Sequence, residues 1–450
     1  MLSLTPLSAR KAISLLPILL FLLLFLGSGL YFEAQGVEYG FYQLPAPIAV
    51  IPAIALSLWL ARGPLQRRLD TLINGMGHTN IITMCLIYLM AGAFSELARQ
   101  TGGVDAAVQF GLSVLPDWAM LSGLFLLSAL LATAMGTSMG TLAALAPIGL
   151  GIVQTTEMSA PLMAGILLSG AMFGDNLSVI SDTTIAATRT QGANMAEKWR
   201  TNLRLALPAA CIVLLVLSAL EQPAKPPLAD ATNGLLALPY VLVLVLAVCR
   251  VNVFVVLASG WLACVILGVW VGDYALDQVV SDTYQGITGM QDIFLLSLLL
   301  GGLFALVASQ GGVTWLVERL SSIVQRLPLG KSRASTLVIG GLSALANVCV
   351  ANNTVAILVS GDAARDIAQQ GGVSRAKSAS MLDIFACCVQ GLLPYGAQVL
   401  LLGAALSISP LSIIPFVTYC QVLALIVVLH VLLSGVVRLP IALRARAGEQ

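Results

Sequence analysis

The sequence predicts an all-α polytopic membrane protein with two inverted-topology repeats, about ten transmembrane helices and two re-entrant hairpins with broken helices. Three observations predict it: the composition, motifs shared by the two halves, and opposite charges on equivalent loops. Of the 450 residues, 58% are hydrophobic and 10% are charged, and the mean hydropathy is +0.95. Soluble domains carry about a quarter charged residues, so this class is excluded. The apolar runs fit helices across a ~30 Å hydrocarbon core and lack the alternation of a membrane barrel.

Related motifs in the two halves predict an internal duplication. The segment Asp70–Gly77 precedes a span ending at Ala91–Phe94, and Asp282–Gly289 precedes a span ending at Gly301–Phe304, about 210 residues later. A polar segment with three prolines separates the halves, which is typical of a linker. The predicted units are repeat one at 1–220, the linker at 221–233, repeat two at 234–436 and a cytoplasmic tail at 437–450.

Loop charges predict that the repeats are inverted. Lys and Arg concentrate on the cytoplasmic side of membrane proteins, so equivalent loops of opposite charge lie on opposite sides. Secondary transporters use this arrangement to build a midplane site between the repeats. One loop of the first half carries Arg62, Arg67 and Arg68 with Asp70, and the equivalent loop of the second half carries Asp273, Asp277 and Asp282.

The region after the third span of each half is predicted to enter the membrane and return. These regions run from Asp117 to Val153 and from Ser335 to Gly361. If they crossed instead, the basic stretch 189–204 would lie outside, against the charge rule. Re-entrant hairpins keep every basic cluster and both termini cytoplasmic. The predicted tips are Gly136–Thr141 and Asn352–Thr354, where irregular backbone needs cover from protein or water.

A broken helix follows each hairpin. The first runs from Pro161 to about Ala187 with a break at 174–184, and the second runs from Ala376 to about Ala405 with breaks at Pro394 and Gly396. Asp383 follows Asp175 at nearly the repeat offset, so we expect the two carboxylates at equivalent depth, with Gln390 in the place of Asp182. Carboxylates in hydrocarbon are costly and mark ion pathways.

The oxygen-rich break predicts a Na⁺ site that also binds protons. Carboxylates, hydroxyls, amide oxygens and freed backbone carbonyls are ligands for hard cations. A carboxylate also binds a proton, so the two ions compete at Asp175 and Asp182, as Na⁺/H⁺ exchange requires. Asp383 is expected to contribute from the opposite repeat.

Other interpretations stay open at this point. The rival function is Na⁺- or H⁺-coupled transport of a small organic acid or amino acid, and a passive channel is a weaker rival. Structural roles are the other alternative: Gly136 and Gly140 for helix packing, Asp383 pairing with Lys377, threonines bonding their own backbone, and asparagines bonding between helices. The candidate substrate pocket comprises Thr141, Asn347, Asn352, Asn353, Thr354, Gln390, Tyr395 and Gln398.

Three motifs resemble the NhaC-type Na⁺/H⁺ antiporter family, within the wider ion transporter superfamily. They are Gly136–Thr141, Gly174–Thr184 and Pro394–Gln398. The resemblance implies a multi-pass bacterial inner-membrane transporter that moves a transport domain against a scaffold. Carried over to this sequence, the implied ion site consists of Thr137, Ser138, Asp175, Asn176, Ser178, Ser181, Asp182 and Thr183.

The remaining composition predicts no enzyme and no cofactor beyond the transported Na⁺ and H⁺. The two histidines are too few for a metal cluster, and the eight cysteines lie in apolar runs without metal-ligand spacing. A net charge of +1 gives no indication of nucleic-acid binding. The expected partners are membrane lipid and a small cation or organic solute, and a homodimer is left open.

Overall fold

The protein, a computed structural model, is described over residues 6–37, 40, 43–114, 119–156, 158–220, 233–249, 251–272, 274–324 and 330–433. All regular secondary structure in these ranges is helical, which confirms the predicted all-α fold. Within them, nine helical segments are long and apolar enough to span a membrane, or ten if the bent pair Pro410–Phe416 and Thr418–Leu433 forms one span. Asp117, Asp273, linker residues 221–232 and the tail 437–450 lie outside the described residues.

The described helices before the linker are α1 (Pro6–Ile13), α2 (Leu16–Ala34), α3 (Ala46–Leu60), α4 (Leu65–Met76), α5 (Thr79–Gln100), α6 (Gly103–Val114), α7 (Met120–Met135), α8 (Ser138–Thr155), α9 (Ala160–Leu177), α10 (Asp182–Gln191) and α11 (Met195–Ala219). Those after it are α12 (Leu238–Val248), α13 (Val253–Val271), α14 (Leu276–Gly289), α15 (Gln291–Ser309), α16 (Gly312–Val324), α17 (Lys331–Val350), α18 (Asn353–Gly371), α19 (Arg375–Leu392), α20 (Ala397–Leu406), α21 (Pro410–Ile413) and α22 (Thr418–Leu433).

Helices α3–α5 and α13–α15 form one packed layer, which we call the scaffold. Helix α4 packs against α15, and helix α14 packs against α5. An amphipathic helix of each half thus contacts a span of the other half. Glycines allow both close approaches. A Cβ on Gly92 would lie 2.2 Å from the backbone oxygen of Gly286, and a Cβ on Gly75 would lie 2.6 Å from that of Gly301. The reciprocal exchange joins the two halves into one layer.

Helices α7–α11, α17–α20 and α22 form a second unit, which we call the core bundle. Helices α7–α8 and α17–α18 occupy the regions predicted as hairpins, and α9–α10 and α19–α20 occupy those predicted as broken helices. Re-entry of the hairpins into the membrane stays a prediction. Helix α9 packs on α7 and α8, and α19 packs on α17 and α18. Helices α10 and α11 contact α19, so the two halves are also joined in this unit.

Each hairpin turn consists of a residue in the left-handed conformation followed by a polar residue that caps the next helix. Gly136 and Ala351 end α7 and α17 with φ values of 68° and 51°. The next residue in each case caps the following helix. The Thr137 side chain accepts from the backbone N–H of Gly140, and Asn352 Oδ1 accepts from that of Val355 at 2.9 Å. The turns therefore lie where the sequence predicted the hairpin tips.

The helix ends of the core bundle repeat at a fixed separation. Gly136 and Ala351 lie 215 residues apart and share the left-handed conformation. This regularity supports the predicted duplication, while the direction of each half in the membrane stays a prediction. Three further pairs at the same separation are Thr137 and Asn352, Ser181 and Gly396, and Gly192 and Ser407.

The matched helix ends change the expected correspondence of the carboxylates. At this separation Gln390, rather than Asp383, corresponds to Asp175, because α9 and α19 end at matched positions. Asp182 corresponds to Ala397, the first residue of α20. The motif spacing pointed to Asp383 because the scaffold motifs repeat at a shorter offset than the core bundle does.

Candidate functional site

A polar cavity of about 260 Å³ lies between the scaffold and the core bundle. The scaffold contributes α5 and the start of α13, and the core bundle contributes both hairpin turns and both helix breaks. The cavity lies where the two units meet and is lined by Asn80, Thr83, Met84, Ile87, Met135, Gly136, Thr137, Ser138, Met139, Asp175, Ile180, Asp182, Thr183, Val251, Asn252, Val253, Asn352, Asn353, Thr354 and Gln398.

Asp175 is the buried carboxylate of this cavity. It lies in the last turn of α9 and is 4% exposed. Ser138, the first residue of α8, donates its hydroxyl to Asp175 Oδ2 at 2.9 Å. The Gln398 amide donates to the Ser138 hydroxyl at 3.2 Å, and the Gln390 amide donates to Gln398 Oε1 at 2.8 Å. This hydrogen-bonded chain connects a carboxylate of the first half with two amides of the second half.

Asp182 is the exposed carboxylate of the same cavity. It is the first residue of α10, on the far side of the four-residue break that follows α9. The Ser181 hydroxyl accepts from the backbone N–H of Thr184 and is hydrogen-bonded to the Thr183 hydroxyl at 2.7 Å. These bonds fix the start of α10, so the break presents Asp182 and Thr183 to the cavity together.

The second half contributes neutral polar groups to the cavity. Asn352, Asn353 and Thr354 line it from the second hairpin turn, and Gln398 lines it from the second helix break. The Asn352 amide also donates to the sulfur of Met84 on α5, at 3.6 Å, across the boundary between the two units. The N-terminal ends of α8, α10, α18 and α20 thus meet at one cavity, which gives it partial positive charge from four helix dipoles.

Asp383 does not line the cavity, in contrast to its predicted role. Its Oδ2 accepts from Lys198 Nζ at 2.6 Å and from the Asn202 amide at 2.7 Å. Lys198 also donates to the Thr184 hydroxyl at 2.6 Å. The ion pair is almost fully buried, with side-chain exposures of 1% for Lys198 and 0% for Asp383. The alternative partner Lys377 is likewise not the one observed.

Several other predicted site residues make structural contacts instead of lining the cavity. The Thr141 hydroxyl donates to the carbonyl of Thr137, and the Ser178 hydroxyl donates to that of Thr133 at 2.9 Å. Asn176 donates to the Tyr419 hydroxyl. These contacts agree with the alternative interpretation, in which such side chains have structural roles. The same holds for three residues of the second half, Asn347, Gln390 and Tyr395, which donate to the carbonyls of Ala386, Ala351 and Val348.

Sequence reasoning missed two groups of residues. Asn80, Thr83 and Asn252 line the cavity from the scaffold, but they lie at helix starts where polar residues are common. Lys198 and Asn202 donate hydrogen bonds to Asp383, whereas the charge rule places Lys198 in the cytoplasmic basic stretch 189–204. Their spacing of four residues on one face of the apolar helix α11 was a usable signal.

The geometry is suited to binding a small cation in exchange for protons. Asp175 and Asp182 line one cavity from the two sides of a helix break, beside the oxygens of Thr137 and Thr183. Both carboxylates belong to the first half of the chain. Asp383 of the second half is already neutralised by Lys198. The cavity therefore holds two carboxylates that a mobile cation or protons can neutralise.

The chain is similar in sequence to known antiporters. Residues 48–221 match the model of the Na⁺/H⁺ antiporter family. The chain is 24% identical over 409 residues to the malate-2H⁺/Na⁺-lactate antiporter of Bacillus subtilis, covering 84% of this chain and 86% of that one. It is 22% identical over 419 residues to the Na⁺/H⁺ antiporter NhaC of the same organism, covering 86% and 91%.

Among solved structures, the YdaH transporter of Alcanivorax borkumensis aligns over 93% of this chain and 98% of that chain, with a TM-score of 0.43 and 13% identity. The sequence comparisons, and not this structural alignment, bear on the family resemblance that the motifs predict. This resemblance is confirmed by the family model and by the matches to NhaC over most of their length. The chain is thus similar in sequence to NhaC-type Na⁺/H⁺ antiporters, with the family model matching residues 48–221.

Proposed function

We propose that this protein is a secondary active antiporter that exchanges Na⁺ for protons at Asp175 and Asp182. The observation that carries the proposal is that these two carboxylates, one buried and one exposed, line a single polar cavity between the scaffold and the core bundle. The NhaC relatives support Na⁺ and H⁺ as the exchanged ions. The protein acts as a transporter and not as an enzyme.

Competition between the ions produces the exchange. Deprotonated carboxylates attract Na⁺, and protonation removes the charge that holds it. Thr137, Thr183 and carbonyls freed at the break supply further oxygens as Na⁺ loses water. Ser138 holds Asp175 in a fixed orientation through its hydrogen bond. Asp383 is left out of this ligand set because Lys198 neutralises it, and it stabilises the contact between α11 and α19 instead.

The position of the cavity supports alternating access by movement of the core bundle. The carboxylates, both hairpin turns and both helix breaks belong to the core bundle, while α5 and the start of α13 cover them from the scaffold. A displacement of the core bundle along this boundary carries the site from one side of the membrane to the other. Both termini lie in the cytoplasm of a bacterial cell, and the protein lies in the inner membrane.

Everted membrane vesicles loaded with a pH-sensitive dye test the exchange. Addition of Na⁺ should dissipate an established proton gradient with the wild-type protein. Asp175→Asn and Asp182→Asn should each abolish the response, while Asp362→Asn, at an exposed position on α18, should retain it. In the wild type, the Na⁺ concentration for half-maximal exchange should rise as the pH falls, since protons occupy the carboxylates. Full exchange by the double variant at both carboxylates would overturn the proposal.

A second candidate function is exchange of a small organic acid coupled to these ions. The observation that favours it is the meeting of four helix N-termini with the amides of Asn352, Asn353 and Gln398, a combination that binds carboxylate groups. One relative exchanges malate and lactate. Proteoliposomes loaded with labelled lactate or malate separate the two functions. Na⁺-dependent solute flux that Asn353→Ala removes would favour the second candidate, and proton exchange without solute would favour the first.

A further inference from the structure

A second cavity, of about 650 Å³, lies away from the ion site and is strongly basic. It is enclosed by α1, the end of α3, the start of α4 and the end of α15. Of the described residues that line it, five are cationic and none is acidic. We call it the basic cavity, and it is lined by Arg10, Lys11, Ile13, Ser14, Leu60, Ala61, Arg62, Arg67, Arg68, Thr71, Leu306, Ser309 and Gln310.

Protein groups compensate only part of this charge. Lys11 forms an ion pair with Glu318 of α16, with Nζ and Oε1 2.7 Å apart. Arg68 donates to the carbonyls of Leu58 and Ala61 at the end of α3, which fixes its guanidinium as a helix cap. Neither arrangement neutralises the three other arginines. The accumulated charge therefore attracts an anion from outside the protein.

The fold holds these arginines together in one place. Gly63, at φ 97°, and Pro64 turn the chain between α3 and α4, so Arg62 stands beside the first turn of α4 with Arg67 and Arg68. Arg10 lies at the start of the apolar segment Arg10–Phe32, which is long enough to span a membrane. The basic cavity thus opens at the end of a span, at the depth where lipid headgroups lie.

Apolar side chains beside the charges point to a lipid as the ligand. Ile13 lines the cavity and is 43% exposed, and Leu16, one turn further along the chain, is 46% exposed. Leu65 at the start of α4 is 56% exposed. A free anion makes no use of this surface, whereas a phospholipid places its phosphate among the arginines and its acyl chains along these residues. The charge rule puts this end in the cytoplasmic leaflet, whose lipids are anionic.

We propose that the basic cavity is a binding site for the headgroup of an anionic phospholipid, held by Arg10, Arg62 and Arg67. Since each basic residue near a membrane surface adds to the attraction for anionic lipid, two arginines account for on the order of tenfold or more in affinity. The site is independent of the ion cavity, so lipid binding and ion exchange are separable by mutation.

Native mass spectrometry of the purified full-length protein in neutral detergent tests the proposal. Phosphatidylglycerol, phosphatidylcholine and inorganic phosphate are added in separate titrations. The wild type should bind phosphatidylglycerol about tenfold more tightly than phosphatidylcholine. The double variant Arg62→Ala/Arg67→Ala should lose this preference, and a matched control, Arg200→Ala/Arg204→Ala on α11, should keep it because neither residue lines the cavity.

The outcomes are distinguishable. Equal binding of phosphatidylglycerol by the wild type and the cavity variant overturns the proposal, and so does equal binding of the two lipids by the wild type. Inorganic phosphate that displaces the lipid and binds as tightly would identify a free-anion site instead. If the alanine variant fails to fold, Arg62→Lys/Arg67→Lys and Arg62→Gln/Arg67→Gln replace it, and only the lysine pair should retain lipid preference. Na⁺/H⁺ exchange by the cavity variants in vesicles reports separately on the proposed function.

Discussion

Three aspartates of the core bundle, two buried and one exposed, have different surroundings. Asp175 accepts a hydroxyl donor, Asp182 faces the cavity, and Asp383 is paired with an ammonium group. A carboxylate whose charge is already balanced by a fixed cation has little attraction left for a mobile one. We therefore expect the local partner of each side chain, and not its residue type, to determine whether it takes part in the proposed ion exchange.

The hydroxyl of Ser138 should tune the affinity of the site for Na⁺. Ser138→Ala removes the donor to Asp175 Oδ2, and hydrogen bonds to charged groups contribute about 1.5–3 kcal/mol. We expect the Na⁺ concentration for half-maximal exchange to change by on the order of tenfold in vesicles, with proton exchange still present at saturation. Ser128→Ala is the matched control, because that buried hydroxyl donates to the backbone carbonyl of Leu167. An equal change in both variants would contradict the role given to Ser138.

The Lys198–Asp383 pair should respond to mutation as a unit. Lys198→Met leaves a buried carboxylate without its cation, and Asp383→Asn leaves a buried ammonium, so each should lower the free energy of unfolding by about 3–5 kcal/mol. The double variant removes both charges and should be more stable than either single variant. Thermal unfolding in detergent measures this, and additive losses in the double variant would show that the two side chains are not coupled.

Among the helices, close packing characterises the scaffold, and helix breaks characterise the core bundle. Glycine contacts in the scaffold bring α5 against α14 and α4 against α15 without room for a side chain. In the core bundle, the turns at Gly136 and Ala351 and the breaks after α9 and α19 expose backbone ends at the cavity. Close packing in the scaffold and interrupted helices in the core bundle are what the proposed movement of an ion-binding unit along a fixed support requires.

Gly286 should be intolerant of a side chain. Gly286→Ala places a Cβ 2.2 Å from the backbone oxygen of Gly92, so α14 and α5 must separate. We expect a clear fall in the thermal unfolding midpoint and loss of exchange activity, since overpacking costs about 1–3 kcal/mol. Gly289→Ala on the same helix is the control, because its Cβ would meet no atom within 4 Å. Equal stability of the two variants would contradict the packing argument.

At the scale of the whole molecule, the decisive feature is the boundary between the scaffold and the core bundle. The polar cavity with Asp175 and Asp182 lies on this boundary, and the Asn352 amide donates a hydrogen bond across it to the sulfur of Met84. Within the core bundle, by contrast, polar contacts join the halves firmly, as between Ser378 and Gln191 at 2.8 Å. The molecule thus has contacts between its halves inside each unit and a polar cavity between the units.

A covalent cross-link across the boundary should stop transport. In a background without the eight native cysteines, oxidation of Met84→Cys/Asn352→Cys should join α5 to the second hairpin and arrest exchange, and reduction should restore it. The control pair Gln191→Cys/Ser378→Cys joins α10 to α19 within the core bundle and should leave exchange largely unchanged. Full activity with the boundary cross-link in place would argue against movement of the core bundle along the scaffold.

Much of the candidate site was predictable from local sequence. The breaks at Gly136 and Pro394 and the polar run from Asp175 to Thr183 stand out in apolar surroundings, because the membrane makes each polar group costly. The contribution of Asn80 and Asn252 was not predictable. Their part in the cavity depends on which helix of the scaffold covers the core bundle, and a local pattern carries no information on that contact.

The residues alone predict the helical membrane fold, which the structure confirms, and they place two turns and the helix break with Asp175 and Asp182 correctly. The duplication and the ion-binding role of the two carboxylates stay predictions. Unsatisfied backbone groups and unpaired charges are costly in hydrocarbon. Apolar spans and the few polar positions inside them can therefore be recognised in the sequence. The pairing of Asp383 with Lys198, by contrast, is visible only in the folded structure. Lys198 and Asp383 are 185 residues apart in sequence and 2.6 Å apart in space, and a buried ion pair depends on that distance and not on the residues alone.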